Sequence, residues 1–173
     1  GLELSRSVNG GMSDEEIDWV LKTNPKGENY YDAAYTNPNS QRHVLGLSGG
    51  NDKITYYMGG SYFNENGFLP NVWYKKYNLR GNIQATPVKN LTLGLNLSSS
   101  FGTFNRFNFT YDYGSSDLNN LWGKLLYWDV FAPPYINGKP VDPGWLGNPV
   151  EMMRNGGYYR NRNQLMDGLV TVE

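Results

Sequence analysis

The chain has no cysteine. That excludes disulfides and thiolate metal centres, and it suits either a reducing cytosol or a bacterial envelope protein built without bridges. No apolar run is long enough to cross a membrane as a helix, and no signal-peptide pattern is visible. A dominant charge is missing too: 15 Lys plus Arg stand against 16 Asp plus Glu, so the balance points to neither nucleic acid nor an anionic surface. Histidine occurs once, at His43, which is too little for an imidazole-built metal site. Ile and Val are sparse. What the 173 residues do contain is glycine (21), tyrosine (14) and tryptophan (5), a composition of turns and amphipathic aromatics.

Strand patterns dominate the middle of the chain. Segments 41–48, 53–64, 76–86 and 90–101 follow one another closely, and 164–173 reads as a fifth strand. In 77–85 the alternation is clean: Tyr77, Leu79, Ile83 and Ala85 on one face, Asn78, Arg80, Asn82 and Gln84 on the other. The next strand repeats it, with Leu91, Leu93, Leu95, Leu97 and Phe101 against Thr92, Asn96, Ser98 and Ser100. In 53–64 it blurs, because Tyr57 and Phe63 sit opposite Ile54, Tyr56, Met58 and Tyr62.

The connections alternate in size. A short Gly49-Gly50-Asn51-Asp52 turn, read as left-handed, is followed by a middling loop through Gly67 and Pro70. A short Pro87–Asn90 turn comes next, and then the long stretch 102–163. In an up-and-down sheet this puts every short turn at one end and every long loop at the other, which is how outer-membrane barrels sort their connections. Aromatics cluster where such strands would cross a headgroup layer: Tyr62 and Phe63 before the 64–73 loop, Trp73, Tyr74 and Tyr77 after it. Alternation alone does not say whether the apolar face meets lipid or a protein core. A soluble or surface carbohydrate-binding β-sandwich module is the competing reading.

Outside the strands, residues 1–40 form a polar lead-in with one helix over 14–23. Ser13 with Asp14, Glu15 and Glu16 makes a capping box, Ile17, Val20 and Leu21 share an apolar face, and Asn24-Pro25 stops it. Within 102–163 a second helix is expected over about 117–128, capped by Asp117. There Leu118, Leu121, Trp122, Leu125 and Leu126 fall on one face. The passage holding Pro133, Pro134, Pro140 and Pro143 is expected to be irregular. The opening Gly1 and a final Glu173 inside strand-like sequence suggest a piece cut from a longer polypeptide.

Landmarks along 30–101 occur in a recognisable order: Tyr31-Asp32, Gln41 with His43, Ser48-Gly49-Gly50, Tyr56-Tyr57, Asn66-Gly67, Tyr77 with Arg80, then Leu91–Leu97. In this the chain resembles the SusC/RagA family of TonB-dependent outer-membrane transporters of Bacteroidetes, departing at Tyr31, where that family often has Trp, and in the spacing to Arg80. The likeness covers less than half the chain and fits 102–163 only loosely. It implies an all-β fold, with antiparallel up-and-down strands forming part of a large transmembrane β-barrel and long outer loops containing short helices. It further implies import of a glycan or oligopeptide, energised by TonB through a part N-terminal to this stretch and assisted by a SusD-like surface lipoprotein.

Under that reading Leu79, Ile83, Leu91, Leu93, Leu95 and Leu97 face outer-membrane lipid, while Asn78, Arg80, Asn82, Gln84 and Asn96 face the lumen. There they could touch solute or hydrogen-bond a plug and hydrate the wall. Trp122, Tyr127, Trp128, Tyr135, Trp145, Tyr158 and Tyr159 could stack on sugar rings, or could pack the loop against the rim or the lipoprotein. His43 reads as structural. Asp112 and Asp117 match no calcium loop, Gly59-Gly60 suggests close backbone approach or a bulge, and no nucleophile–base pair points to an enzyme. No cofactor is implied.

Overall fold

The computed structural model describes residues 13–23, 30–108, 118–127, 133–141 and 147–173. In chain order the elements are α1 (Asp14–Thr23), α2 (Tyr30–Ala34), β1 (Asn39–Asn51), β2 (Ile54–Asn66), β3 (Trp73–Val88), β4 (Leu91–Phe107), α3 (Leu118–Tyr127), β5 (Tyr135–Ile136), β6 (Lys139–Pro140), α4 (Pro149–Asn155) and β7 (Tyr158–Val172). They fall into two units: one formed by 37–106 and 158–173, the other by 1–36 and 107–157.

The first unit is a single antiparallel sheet in the order β1-β2-β3-β4-β7. β1 pairs with β2 from Asn39↔Asn66 to Asn51↔Ile54, and β2 with β3 from Ile54↔Ala85 to Asn66↔Trp73. β3 pairs with β4 from Trp73↔Asn105 to Val88↔Leu91. Thr92 and Glu173 exchange both backbone bonds, at 2.7 and 2.9 Å, and the Ser98–Asp167 and Asn105–Arg160 side-chain bonds continue that antiparallel register along β7. The five strands run 13, 13, 16, 17 and 15 residues, longer than the expected segments and longer than the roughly 9–11 residues a tilted strand needs to cross a bilayer. The sheet does not close on itself, and β1 and β7 are its edges.

The turns correct the sequence reading in detail. Gly49 and Gly50 belong to β1, paired with Tyr56 and Thr55, and the reversal falls on Asp52 and Lys53. No left-handed residue makes it. The Asn51 carboxamide oxygen instead accepts from Lys53 N at 2.9 Å and Ile54 N at 3.0 Å, so a side chain does what positive φ was expected to do. The second short turn is Lys89-Asn90, with Asn90 at φ 66°, and Pro87 is absorbed at a bulge where its missing N–H breaks no ladder. The β2–β3 connection, 67–72, is closed by Gly67 N donating to Val72 O at 2.8 Å over a buried Leu69. Both short turns lie at one end of the sheet. The 67–72 loop and the excursion from β4 to β7 leave from the other.

The second unit has a small core of Ile17, Ala34, Leu121, Leu125, Val150 and Met153, with α4 packed against α2 and α3. Of the expected apolar helix faces only part is used. Ile17, Leu121 and Leu125 are buried, whereas Leu21 and Leu126, each at the flank of its stripe, are exposed. Asp117 lies outside the described residues, as does Asn24-Pro25. The passage expected to be irregular contains a hairpin: Asn137 (φ 51°) and Gly138 (φ 74°) form the two-residue turn that Asn-Gly favours, joining β5 to β6. Pro140 ends the short β6, where its lack of an N–H is harmless.

Candidate functional site

Because directly opposed residues share a face, the register sorts every strand side chain into one of two surfaces. The odd positions of β1, β3 and β4 and the even positions of β2 and β7 make one. From the short-turn end its rows are Asn51/Ile54/Ala85/Leu93/Val172, then Gly49/Tyr56/Ile83/Leu95/Val170, then Leu47/Met58/Gly81/Leu97/Gly168. Next come Leu45/Gly60/Leu79/Ser99/Met166 and His43/Tyr62/Tyr77/Phe101/Gln164. Leu79, Ile83, Leu91, Leu93, Leu95 and Leu97 all stand on this surface. It is not covered: Leu45 is 80% exposed, Leu79 59%, Leu97 52% and Val170 69%. Monomeric soluble proteins rarely leave an apolar expanse of this kind open. At about 3.3 Å per residue, the five rows from Tyr77 to Ala85 would cover about 20 Å of depth if the strands were tilted by about 40°, against an apolar band of about 25 Å in membrane barrels.

The last of those rows is aromatic. His43 stacks on Tyr62 (centroids 6.3 Å, planes 11° apart), and Tyr62 lies 4.9 Å from Tyr77. This gives His43 a packing role, with its Nε2 3.5 Å from the Gln41 Oε1. Beyond it the surface turns polar, with Gln41/Asn64/Lys75/Thr103/Arg162 and then Asn39/Asn66/Trp73/Asn105/Arg160.

The opposite face carries Asn78, Arg80, Asn82, Gln84 and Asn96 together, with Arg42, Lys76, Ser61, Ser98, Ser100, Asp167 and Thr171. Asn78 donates to the Ser61 hydroxyl at 2.9 Å, and Ser98 donates to Asp167 at 3.4 Å. A shallow hollow of about 450 Å³ is lined here by Arg42, Lys76, Asn78, Arg80 and Asp167 together with Val44, Tyr57 and Leu165, so charged and hydrogen-bonding groups stand beside exposed apolar ones. Tyr57, whose side blurred the sequence pattern, lies flat on the backbone: a Cβ at Gly59 would meet its hydroxyl at 2.5 Å and one at Gly46 at 3.6 Å. Gly59 therefore serves close approach of a ring, not a bulge.

The aromatic residues first assigned to the long loop separate. Tyr158 and Tyr159 lie in β7, which starts before Gln164, and they point to opposite faces. Arg160 stands over the Tyr158 ring at 4.6 Å and Arg106 over Tyr159 at 5.0 Å. Tyr135 is engaged within its own unit: its hydroxyl donates to Glu151 Oε2 at 2.6 Å and Arg154 lies 5.7 Å from its ring. Burial, then the Glu151 carboxylate, raises the Tyr135 pKa. The Tyr135 hydroxyl, then the Asn155 amide, lowers that of Glu151. Trp122 and Tyr127 belong to α3, but their side chains, like Trp128 and Trp145, are outside the described residues.

Asn148 fastens this unit. Its Oδ1 caps α4 by accepting from Val150 N (3.0 Å) and Glu151 N (3.1 Å), while its Nδ2 donates to the carbonyls of Pro134 (2.7 Å) and Val141 (3.1 Å). Sequence reasoning missed Asn148-Pro149, although Asn before Pro at a helix start was the available signal. It also missed Leu45, Leu47, Met166, Val170 and Val172 on the apolar face, where glycines and polar residues dilute the alternation.

The chain matches no protein-family model, and it matches no curated protein.

Proposed function

We propose that this chain is a section of outer-membrane barrel wall from a SusC/RagA-type, TonB-dependent importer. The observation that carries the reading is the uncovered apolar surface, five rows deep, bounded by an aromatic row and holding no acidic residue in any strand. In lipid such a surface is satisfied, and in water it is a large cost. The sheet's free edges, β1 and β7, are long, and pairing them with further strands of a closed barrel would remove that exposure.

In this role the polar face lines the lumen. Asn78, Arg80, Asn82, Gln84 and Asn96 hydrate the wall and meet a plug or a passing glycan or oligopeptide. A SusD-like lipoprotein would seat on the outer side of the wall, and TonB acts elsewhere in the polypeptide. Epitope insertion tests the orientation in the full-length polypeptide on intact cells. A tag in 67–72 should be labelled from outside, and a tag at Asp52-Lys53 only after permeabilisation. Recovery of the protein in the soluble fraction would overturn the reading.

A further inference from the structure

The chain is charge-balanced as a whole, but its apolar surface is not. That surface holds no Asp or Glu in any of the five strands, and its three full cations, Lys75, Arg160 and Arg162, stand in the two rows just beyond the aromatic row, all at the long-loop end. Lys75 and Arg162 share the row that also contains Thr103. Trp73 gathers the other pair, with Lys75 Nζ 5.0 Å and the Arg160 guanidinium 5.4 Å from its ring. Arg160 is further fixed by donating Nε to Asn105 Oδ1 at 3.1 Å. The buried Asn105 in turn donates to the Asn71 carbonyl at 2.7 Å, so the cation is anchored to the 67–72 loop. In the Lys75 row, the buried Asn64 Oδ1 has no hydrogen-bond donor.

We propose that this rim binds the phosphate of an anionic lipid headgroup whose acyl chains lie on the leucine rows below it. Resting on the barrel-wall reading, the assignment adds to it a ligand class and a site. Two planar guanidiniums and an ammonium stand in two adjacent rows, Lys75 and Arg160 both against the Trp73 ring, at headgroup depth above the aromatic row. No carboxylate of the surface competes. A solvated rim would need neither the segregation of charge to one end nor the clamping of Arg160 between Trp73 and Tyr158.

The test is lipid retention by the full-length polypeptide in neutral detergent micelles, read by native mass spectrometry with phosphatidylglycerol, phosphatidylcholine and inorganic phosphate as probes. Phosphatidylglycerol should be retained and phosphatidylcholine lost, while inorganic phosphate at matched concentration should not displace the lipid. The Lys75→Gln, Arg160→Gln, Arg162→Gln triple variant should bind phosphatidylglycerol about a hundredfold more weakly, and Arg162→Gln alone, at an exposed position, about fivefold. Arg80→Gln on the other face should change nothing. Equal retention of both lipids, undiminished binding in Arg162→Gln and the triple variant, or displacement by inorganic phosphate would overturn the headgroup site while a micelle-dependent protein leaves the wall reading standing. A protein folded and monomeric in plain buffer would remove both.

Discussion

Arginine at position 97 is the sharpest perturbation of the apolar surface. Leu97 lies in the middle of the five rows, opposite Gly81 on one side and Gly168 on the other, and is 52% exposed. If that exposure is to hydrocarbon, a guanidinium there is at the bilayer midplane, where it costs about 2–4 kcal/mol. Leu93→Arg, in the row beside the short turns, should cost about 0–1 kcal/mol, since the long side chain reaches the interface. Ser98→Arg points to the polar face near Asp167 and should stay within about 0.5 kcal/mol. In a water-exposed sheet all three would be near-neutral surface changes. Reversible urea unfolding of the full-length polypeptide in lipid vesicles reads the three values. Equal costs at 93 and 97, or a cost at 98 matching that at 97, would refute the reasoning.

Asn148→Ala should destabilise α4 by about 1–2 kcal/mol, since it removes a cap, takes the side-chain donor from the Val141 carbonyl and leaves the Pro134 carbonyl with the Val141 N–H alone; faster amide exchange at Val150 and Glu151 is the readout. Glu151 has a folded pKa below its ordinary 4.5, so its stabilisation is fully present above that value and lost as pH falls through the depressed folded pKa. Protection of α4 should therefore decline on acidification below about pH 4.5, and Glu151→Gln should flatten the profile. Gly59→Val should displace the Tyr57 ring and cost about 1–3 kcal/mol, and Tyr57→Ala in the same chain should relieve most of it, measured as a double-mutant cycle.

Strand existence and facing were readable because period-two alternation in 77–85 and 91–101 is nearly unbroken, and the sorting of short and long connections followed from Gly, Asn and Pro. Strand ends were not, because Tyr158 through Asn163 carry polar and charged side chains that look like loop until β4 supplies a partner. The first hairpin was misplaced because Gly49-Gly50 is a turn signal by composition, whereas Asn51 could close the reversal with its own side chain. Net charge concealed the basic rim: Lys75 is far from Arg160 and Arg162 in sequence and joins them only through the register of β3, β4 and β7. Tyr135 was weighed as a sugar platform, yet its hydroxyl is spent on Glu151, a pairing across a hairpin and a helix that no local pattern encodes.

The central claim is that the leucine-bearing surface meets hydrocarbon. The stretch has no native thiol, so single cysteines at 78, 79, 80, 95, 96 and 97 can each carry a spin label in the vesicle-embedded polypeptide. Collisions with oxygen, which partitions into lipid, should be high at 79, 95 and 97, and collisions with a water-soluble nickel chelate high at 78, 80 and 96. Nickel access at 79, 95 and 97 equal to that at their neighbours would place those side chains in water and contradict the account.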